Sequence, residues 1–277
     1  MLKKSRAHHH TVTFTTTTFE TIRDQFMAEV KAGALVFCNH SGGKDSQAMY
    51  LLLRDLVPAD QLVIIHADLG DQVEWEGVKE HITNNIDGRP LEIANAIYKD
   101  GSSKDLLGYV EKRGMWPSSS SRYCTSDLKR DPIAVQIRRI MNERGVKRAI
   151  NCMGLRAEES PSRAKKEAWK LNTRISNTKR TVFDCNPILS MLEANVYGVI
   201  AAAGQELHWA YKAGMPRLSC CFCVLAGKDD LALAAKLRPE LAQKYVDLEA
   251  KIGHTFQNKR SLAEITGLTP SADLVAA

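Results

Sequence analysis

The chain has 277 residues, of which 44% are hydrophobic and 25% are charged, and its formal net charge is +6. No apolar run reaches the roughly 18 residues that a membrane span needs, and the polar start lacks a secretory signal, so we expect a cytoplasmic protein without a membrane partner. Seven cysteines, an odd number, argue against the disulfide framework of a secreted protein. The mild positive charge permits a nucleic-acid partner but does not require one.

Segments with helix and strand periodicity alternate along the chain. The predicted helices are Phe19–Ala32, Gln47–Leu56, Trp75–Ile86, Asp127–Arg144, Ala201–Met215, Asp229–Leu237 and Leu241–Ile252, and the predicted strands are Ala34–Cys38, Leu62–His66, Pro90–Ala94, Ala149–Met153 and a short strand before Pro187. This alternation, with near-continuous apolar strands, predicts an α/β fold with a parallel sheet covered on both faces. We expect an N-terminal helical segment (1–33), an α/β domain (34–190) and a helical C-terminal region (191–277).

The first predicted strand runs into a turn that contains two glycines, and a predicted helix follows. The turn consists of Ser41, Gly42, Gly43, Lys44, Asp45 and Ser46. Glycines bring backbone N–H groups close to an anion, and the helix N-terminus and the lysine add positive charge. The serines can donate to phosphate oxygens, and the aspartate can orient a metal or cap the helix. The pattern predicts a phosphate-binding loop, different in spacing from the common P-loop; the alternative is a turn whose glycines only ease the bend.

Two further segments follow predicted strands and should reach the same edge of the sheet. His66 and Asp68 close the second strand, where they can contact a nucleotide or a metal, although Asp68 can also simply cap the next helix. Gly154, Arg156 and Arg163 follow the fourth strand, and the arginines can clamp phosphate or sulfate. The basic run that continues to residue 180 indicates either an anionic substrate or an ordinary solvated face.

The cysteines give a second signal. Cys124 precedes a predicted helix, and Cys220, Cys221 and Cys223 lie close together near the end of the α/β region. The Cys-x-x-Cys spacing of Cys220 and Cys223 lets two thiolates hold one metal or cluster, and thiolates suit iron–sulfur clusters or zinc. The remaining cysteines, which are Cys38, Cys152 and Cys185, lie in or near strands and are expected to be small buried hydrophobic residues.

Taken together, these segments resemble the phosphoadenosine phosphosulfate (PAPS) reductase family, in the broad sense that includes the ATP pyrophosphatases of DNA phosphorothioation. The resemblance runs from about Val36 to Ala226 and rests on residues 41–46, 66–70, 124–129 with Pro132, and 154–160. It implies a doubly wound, mostly parallel sheet of the adenine nucleotide alpha hydrolase type, with a C-terminal helical extension.

The resemblance also implies roles for single residues. Lys44, Asp45 and Arg156 would be catalytic; Ser41, Gly42, Gly43, Ser46, His66, Asp68 and Gly154 would join them in binding the nucleotide; Lys129 and Arg163 would bind a substrate anion. Cys124, Cys220 and Cys223 would be ligands of a [4Fe–4S] cluster, with the fourth ligand coming from Cys221, Cys185 or outside the chain.

Three departures from the family pattern bear on activity and on the cluster. The loop keeps the unmodified sequence expected for ATP, whereas assimilatory reductases carry a version suited to a sulfonucleotide. Those reductases also use a cysteine on a C-terminal tail, and no cysteine follows Cys223 here. Thr125 follows Cys124 where the cluster-bearing reductases have a second cysteine.

We therefore expect an ATP pyrophosphatase that uses ATP and Mg²⁺ to adenylate an acceptor in a sulfur-transfer reaction, with a [4Fe–4S] cluster. A sulfonucleotide reductase that takes PAPS is the first alternative, and a non-enzymatic nucleotide-binding module stapled by zinc is the second. Expected partners are the nucleotide, a sulfur-donor protein, a nucleic-acid acceptor and a second copy of the chain in a homo-oligomer.

Overall fold

The computed structural model describes residues 17–272. Residues 1–16 of the predicted N-terminal segment and residues 273–277 of the predicted C-terminal region lie outside this range. The helices are α1 Thr17–Lys31, α2 Lys44–Leu56, α3 Val78–Asn84, α4 Leu106–Arg113, α5 Tyr123–Thr125, α6 Asp131–Glu143, α7 Pro161–Ala164, α8 Glu193–Ala202, α9 Trp209–Lys212, α10 Lys228–Leu237, α11 Pro239–Ile252 and α12 Leu262–Thr266. The strands are β1 Leu35–Asn39, β2 Leu62–Ala67, β3 Leu91–Ala94, β4 Arg148–Met153, β5 Trp169–Leu171 and β6 Thr181–Cys185.

The strands of the described chain form one six-stranded sheet in the order β3-β2-β1-β4-β6-β5. Strand β2 pairs with β3 in parallel, with Ala67 opposite Ala94, and β4 pairs with β6 in parallel, with Cys152 opposite Cys185. Strand β5 is antiparallel to β6. The mostly parallel α/β sheet predicted from the sequence is confirmed.

The described residues fall into two compact units. The first unit contains residues 17–38, 44–63 and 146–206, and the second contains residues 39–43, 64–145 and 207–272. In the first unit, the ring of Phe26 packs edge-on against Phe19 and Trp169, and Trp169 stacks on Phe183. Trp169 therefore anchors the basic run of the sequence to a hydrophobic core.

The second unit has its own aromatic core. Trp116 stacks on Tyr245 and packs edge-on against Phe256, and Phe222 lies against Tyr245. All four side chains are almost completely buried. This cluster ties the segment before Cys124 and the segment that contains Cys221 and Cys223 to helix α11.

Three predicted helices differ from those observed, two of them because a glycine has a left-handed φ. The predicted Trp75–Ile86 helix starts only at Val78, because Gly77 has a left-handed φ of 79°. The predicted Ala201–Met215 helix is wrong: Gly204, with φ 67°, follows the end of α8, and α9 begins only after His208. The predicted Asp127–Arg144 helix opens as a wide π-helical turn over Ser126–Arg130 before the regular helix α6.

Candidate functional site

The loop between β1 and α2 is shaped by a glycine that no other residue can replace without strain. Gly42 has φ 77°, and a Cβ there would lie 3.0 Å from Val78 Cγ1 and 3.2 Å from Leu218 Cδ2. The Gly42 N–H donates to His40 Nδ1 at 3.1 Å. Burial, and to a smaller extent the charges of nearby histidines, lower the pKa of His40 to about 3. His40 is therefore neutral, and its Nδ1 can accept this hydrogen bond. The turn is thus fixed by backbone and imidazole contacts rather than by glycine flexibility alone.

Lys44 and Asp45 begin helix α2, so their side chains stand at the N-terminus of a long helix. The Lys44 side chain is 3% exposed, and its Nζ lies 3.0 Å from Glu193 Oε1 and 3.8 Å from Asp45 Oδ2. Its Nζ also lies 5.8 Å from the centre of the Tyr197 ring. A buried ammonium at a helix N-terminus is a strong attraction for an anion.

Arg156 completes this group from the loop after β4. Its Nε donates to Asp45 Oδ1 at 2.5 Å, one terminal nitrogen donates to Glu158, and the other lies 3.7 Å from Glu193 Oε1. Burial lowers the pKa of the guanidinium, but the charge and hydrogen bond of Asp45 outweigh that effect and raise the pKa. Lys44 and Arg156 therefore converge as two cations on one oxygen of Glu193.

Gly154 explains how the loop after β4 reaches the start of α2. A Cβ on Gly154 would lie 3.0 Å from the carbonyl carbon and oxygen of Asp45 and from the amide nitrogen of Ser46. Only a residue without a side chain permits this approach of two backbones. Ser46 is 4% exposed in the first turn of α2. The structure therefore brings Gly154 next to Asp45 and Ser46.

Arg163 is placed differently. It lies in α7, is part-exposed, and forms an ion pair with Glu159 one helical turn before it. Ser160 caps the same short helix by accepting from the Arg163 N–H. The Arg156 N–H donates to the same Glu159 oxygen, so Glu159 lies between the two predicted anion-binding arginines.

His66 lies near the end of strand β2, and Asp68 follows that strand, both in the second unit. His66 is 2% exposed, with Nδ1 2.9 Å from the His40 carbonyl oxygen and Nε2 3.1 Å from Glu74 Oε2. Asp68 accepts from the Gly70 N–H at 2.8 Å and from Lys79 Nζ at 3.0 Å. Burial raises the pKa of Asp68, but those two hydrogen bonds outweigh it and hold the pKa below its ordinary value, so Asp68 is a carboxylate.

Cys124 and Cys223 lie close enough to Cys220 in the second unit to raise its pKa. Burial raises the pKa of Cys220 to about 11; Cys223 and Cys124 add to that rise, while Lys129 opposes it. Lys129 Nζ lies 3.9 Å from Cys220 Sγ, and the charge of Cys220 raises the pKa of Lys129 against the effect of burial. The predicted anion-binding lysine therefore stands beside the cysteines.

The chemistry of this set of cysteines fits either an iron–sulfur cluster or zinc. Cys124, Cys220 and Cys223 are half-buried, and thiolates are preferred ligands of both groups. Lys129 beside Cys220 adds a positive charge that can balance thiolate ligands.

Cys221 stands apart from the other three cysteines. It is 2% exposed, and its N–H donates to the Val73 carbonyl oxygen at 2.8 Å. Burial raises the pKa of Cys221 to about 12, with Arg238 the nearest opposing charge. Its side chain is a buried neutral thiol.

The family model that describes the phosphoadenosine phosphosulfate reductase domain matches residues 36–226, more than half of the chain. The chain belongs to this family. An uncharacterised protein of Escherichia phage 186 is 30% identical over 244 residues, covering 73% of this chain and 71% of that protein. An uncharacterised protein of Methanocaldococcus jannaschii is 27% identical over 214 residues, covering 77% of this chain and 47% of that protein. The chain thus matches about half of the archaeal relative.

Among solved structures, the PAPS reductase of Candida auris in complex with phosphate is 14% identical, with a TM-score of 0.46, and the match covers 76% of this chain and 97% of that one. Within the described residues of this PAPS reductase family member, no helix is long and apolar enough to span a membrane.

The sequence did not predict two residues that lie next to Lys44 in this site. Glu193 and Tyr197 belong to α8, which packs on α2, and they meet Lys44 there. Neither lies in a motif, and the chain around them has only helical periodicity. A weak signal was available: Glu193 is an acidic residue at the start of a helix, next to Leu192, an exposed apolar residue.

Proposed function

We propose that this member of the PAPS reductase family is an ATP pyrophosphatase, which adenylates an acceptor and releases pyrophosphate in a sulfur-transfer reaction. The observation that carries the proposal is the convergence of two buried cations, Lys44 and Arg156, on one oxygen of Glu193 at the start of α2. The Glu193 side chain is 48% exposed. A phosphate group can therefore displace this carboxylate without unpacking the core.

The chemistry follows from these contacts. An acceptor oxygen attacks the α-phosphorus of ATP, a bond forms between them, and the bond from the α-phosphorus to the bridging oxygen breaks. Pyrophosphate leaves with the electron pair of that bond, and the acceptor loses its proton to solvent. Lys44, Arg156 and the backbone N–H groups of the loop stabilise the charge that develops on the phosphoryl oxygens. Asp45 holds Arg156 in place and supplies a carboxylate for the Mg²⁺ that accompanies ATP.

A [4Fe–4S] cluster is the cofactor that fits the cysteines. Cys124, Cys220 and Cys223 would hold it, and Lys129 would balance its negative charge from beside Cys220. When bound through three cysteines, such a cluster supplies one iron that can hold a sulfur atom.

The family itself favours a second candidate, a reductase that acts on PAPS. In that case Lys129 and Arg156 would bind the sulfate. The third candidate is a zinc-stapled binding module, in which Cys124, Cys220, Cys221 and Cys223 would hold zinc. Metal analysis separates it from the first two, because zinc is colourless and an iron–sulfur cluster absorbs visible light.

Product analysis tests the proposal. The protein, purified anaerobically, is incubated with ATP and Mg²⁺, and separately with PAPS and a thiol reductant. We expect slow formation of AMP and pyrophosphate from ATP, with water in the place of the acceptor, and at least about a 100-fold loss in Lys44→Ala and in Asp45→Asn. The control Lys31→Ala changes an exposed lysine at the end of α1 and should keep the wild-type rate.

Two results would reject this assignment. Equal rates of pyrophosphate release in the wild type and in both loop variants would remove the loop from the reaction. Formation of sulfite from PAPS, with ATP left intact, would make the protein a reductase.

A further inference from the structure

The segment after strand β2 returns on itself and brings three metal-binding side chains together. His66, Asp68 and Glu74 each offer one ligand atom, and these atoms all lie within 4.8 Å of one another. His66 is buried at the carboxyl end of a strand of the parallel sheet, where ligands of such folds bind. A nitrogen and two carboxylates in one place are a donor set that divalent transition metals prefer.

The tautomer of His66 is decided by its neighbours. A carbonyl oxygen can only accept a hydrogen bond, so the contact at 2.9 Å with the His40 oxygen places the proton of His66 on Nδ1. The other nitrogen, Nε2, then points its lone pair at Glu74 Oε2, 3.1 Å away. Two lone pairs at this distance repel each other unless a cation, either a second proton or a metal ion, lies between them. In metal-binding histidines, the ring nitrogen that does not bind the metal typically donates a hydrogen bond in this way, for example to a backbone carbonyl oxygen.

The turn that makes this arrangement is fixed by backbone contacts. Gly70 has φ 78°, and its carbonyl oxygen accepts from the N–H groups of Val73 and Glu74 at 3.0 and 2.9 Å. The Val73 carbonyl oxygen accepts in turn from the Cys221 N–H. These backbone hydrogen bonds fix the turn, and the turn places Glu74 next to His66.

We propose that His66 Nε2, Asp68 and Glu74 form a binding site for one divalent transition-metal ion, such as Mn²⁺ or Zn²⁺. The site differs from the expected Mg²⁺ site of ATP because it includes a nitrogen ligand, which Mg²⁺ disfavours. Lys79, the present partner of Asp68, is 43% exposed and can move into solvent when the ion binds. The proposal reassigns His66 and Asp68, which the sequence placed among nucleotide contacts, and it does not depend on the proposed ATP chemistry.

Manganese binding tests the site directly. The full chain, passed over a chelating resin and free of nucleotide, is titrated with Mn²⁺, and free Mn²⁺ is measured by electron paramagnetic resonance. We expect one site, with affinity reduced at least about 10-fold in Glu74→Gln and in His66→Gln. Glu76→Gln changes an exposed glutamate two residues away and should bind Mn²⁺ as the wild type does.

A spectroscopic signature separates this site from others. The bound Mn²⁺ should show coupling to a directly bound ¹⁴N nucleus in the wild type and in Glu76→Gln, and lose it in His66→Gln. In all these proteins the His8-His9-His10 run is replaced by alanines, so that its nitrogens add no coupling. Because Glu74→Gln alters a half-buried side chain, it reports on the site even if His66→Gln fails to fold.

Either of two results would overturn the proposal. One is unchanged affinity in Glu74→Gln, and the other is a ¹⁴N coupling that persists in folded His66→Gln. The proposal would also be wrong if the wild type bound no Mn²⁺. A proton shared between His66 and Glu74 would then explain their close contact. All these outcomes are read without ATP, so they leave the pyrophosphatase proposal to its own test.

Discussion

At the scale of single residues, Gly154 is required for its lack of a side chain. The Cβ of any other residue at this position would lie 3.0 Å from the start of α2. All the nearest atoms are backbone atoms of Asp45 and Ser46. These atoms cannot give way without moving the first turn of the helix. We predict that Gly154→Ala lowers the free energy of unfolding by about 1–3 kcal/mol.

Gly198 provides the matched control for that substitution. It lies on the exposed side of α8, and a Cβ there would meet no atom within 4 Å. Alanine has the higher helix propensity, so Gly198→Ala should raise the free energy of unfolding by about 0.5–1 kcal/mol. Urea denaturation of the two variants measures both values; a loss of stability in Gly198→Ala as large as that in Gly154→Ala would contradict this account of the close approach.

Residues also show where sequence reasoning stops. Ser41–Ser46 could be predicted because its chemistry lies in one short segment, in which glycines, a lysine and a helix start follow one another. Glu193 and Glu74 could not, because each reaches its partner only through the fold. In the sequence, nothing distinguishes Glu74 from the other glutamates. Only the turn at Gly70 brings it next to His66.

At the scale of elements, helix α11 organises the end of the described chain through one buried carboxylate. Glu249 is 7% exposed and accepts from the backbone N–H groups of Phe256, Leu262 and Ala263. It therefore caps the loop after α11 and the first turn of α12. A buried carboxylate that satisfies several backbone donors is costly to remove, since those donors are left without partners.

We predict that Glu249→Ala lowers the free energy of unfolding by about 3 kcal/mol. Faster hydrogen exchange at Leu262 and Ala263 should accompany this loss. Glu240→Ala, which removes an exposed glutamate from the first turn of the same helix, should cost no more than about 1 kcal/mol. Equal exchange rates at Leu262 in Glu249→Ala and in the wild type would show that the carboxylate does not hold α12.

Elements differ in how well periodicity predicts them. Long amphipathic helices such as α1 and α11 and the buried strands β1, β2 and β4 were predicted within a few residues of their observed bounds. The antiparallel strand β5 and the short helices α4 and α12 were missed. Short elements of this kind owe their conformation to tertiary contacts and caps, such as Asp105 for α4 and Ser261 for α12, more than to their own pattern.

At the scale of the whole molecule, the parallel sheet and the family followed from the order of the motifs along the chain. Spacing also singled out Cys220 and Cys223, and the resemblance to the family added Cys124, with Cys221 only a candidate for a fourth ligand. In the structure, Cys124 and Cys223 lie near enough to Cys220 to raise its pKa, whereas Cys221 is almost completely buried. The sequence alone could not show that burial, and the grouping of Cys124, Cys220 and Cys223 without Cys221 is the one we propose.

Iron and sulfide analysis tests that grouping. We predict that anaerobically purified protein is brown and holds about four irons and four sulfides per chain. Cys220→Ala should lose this iron, because it removes a ligand, whereas Cys221→Ala should retain it. Stoichiometric zinc in a colourless protein, or loss of iron in Cys221→Ala to the same extent as in Cys220→Ala, would require a different set of ligands.

The central claim is that the acceptor attacks the α-phosphorus of ATP, and the position of an oxygen label tests it most directly. ATP is hydrolysed by the protein in water enriched in ¹⁸O, and the products are analysed by mass spectrometry. The account predicts ¹⁸O in AMP and unlabelled pyrophosphate, because water takes the place of the acceptor oxygen. Label in pyrophosphate, or ADP and phosphate as the products, would contradict it.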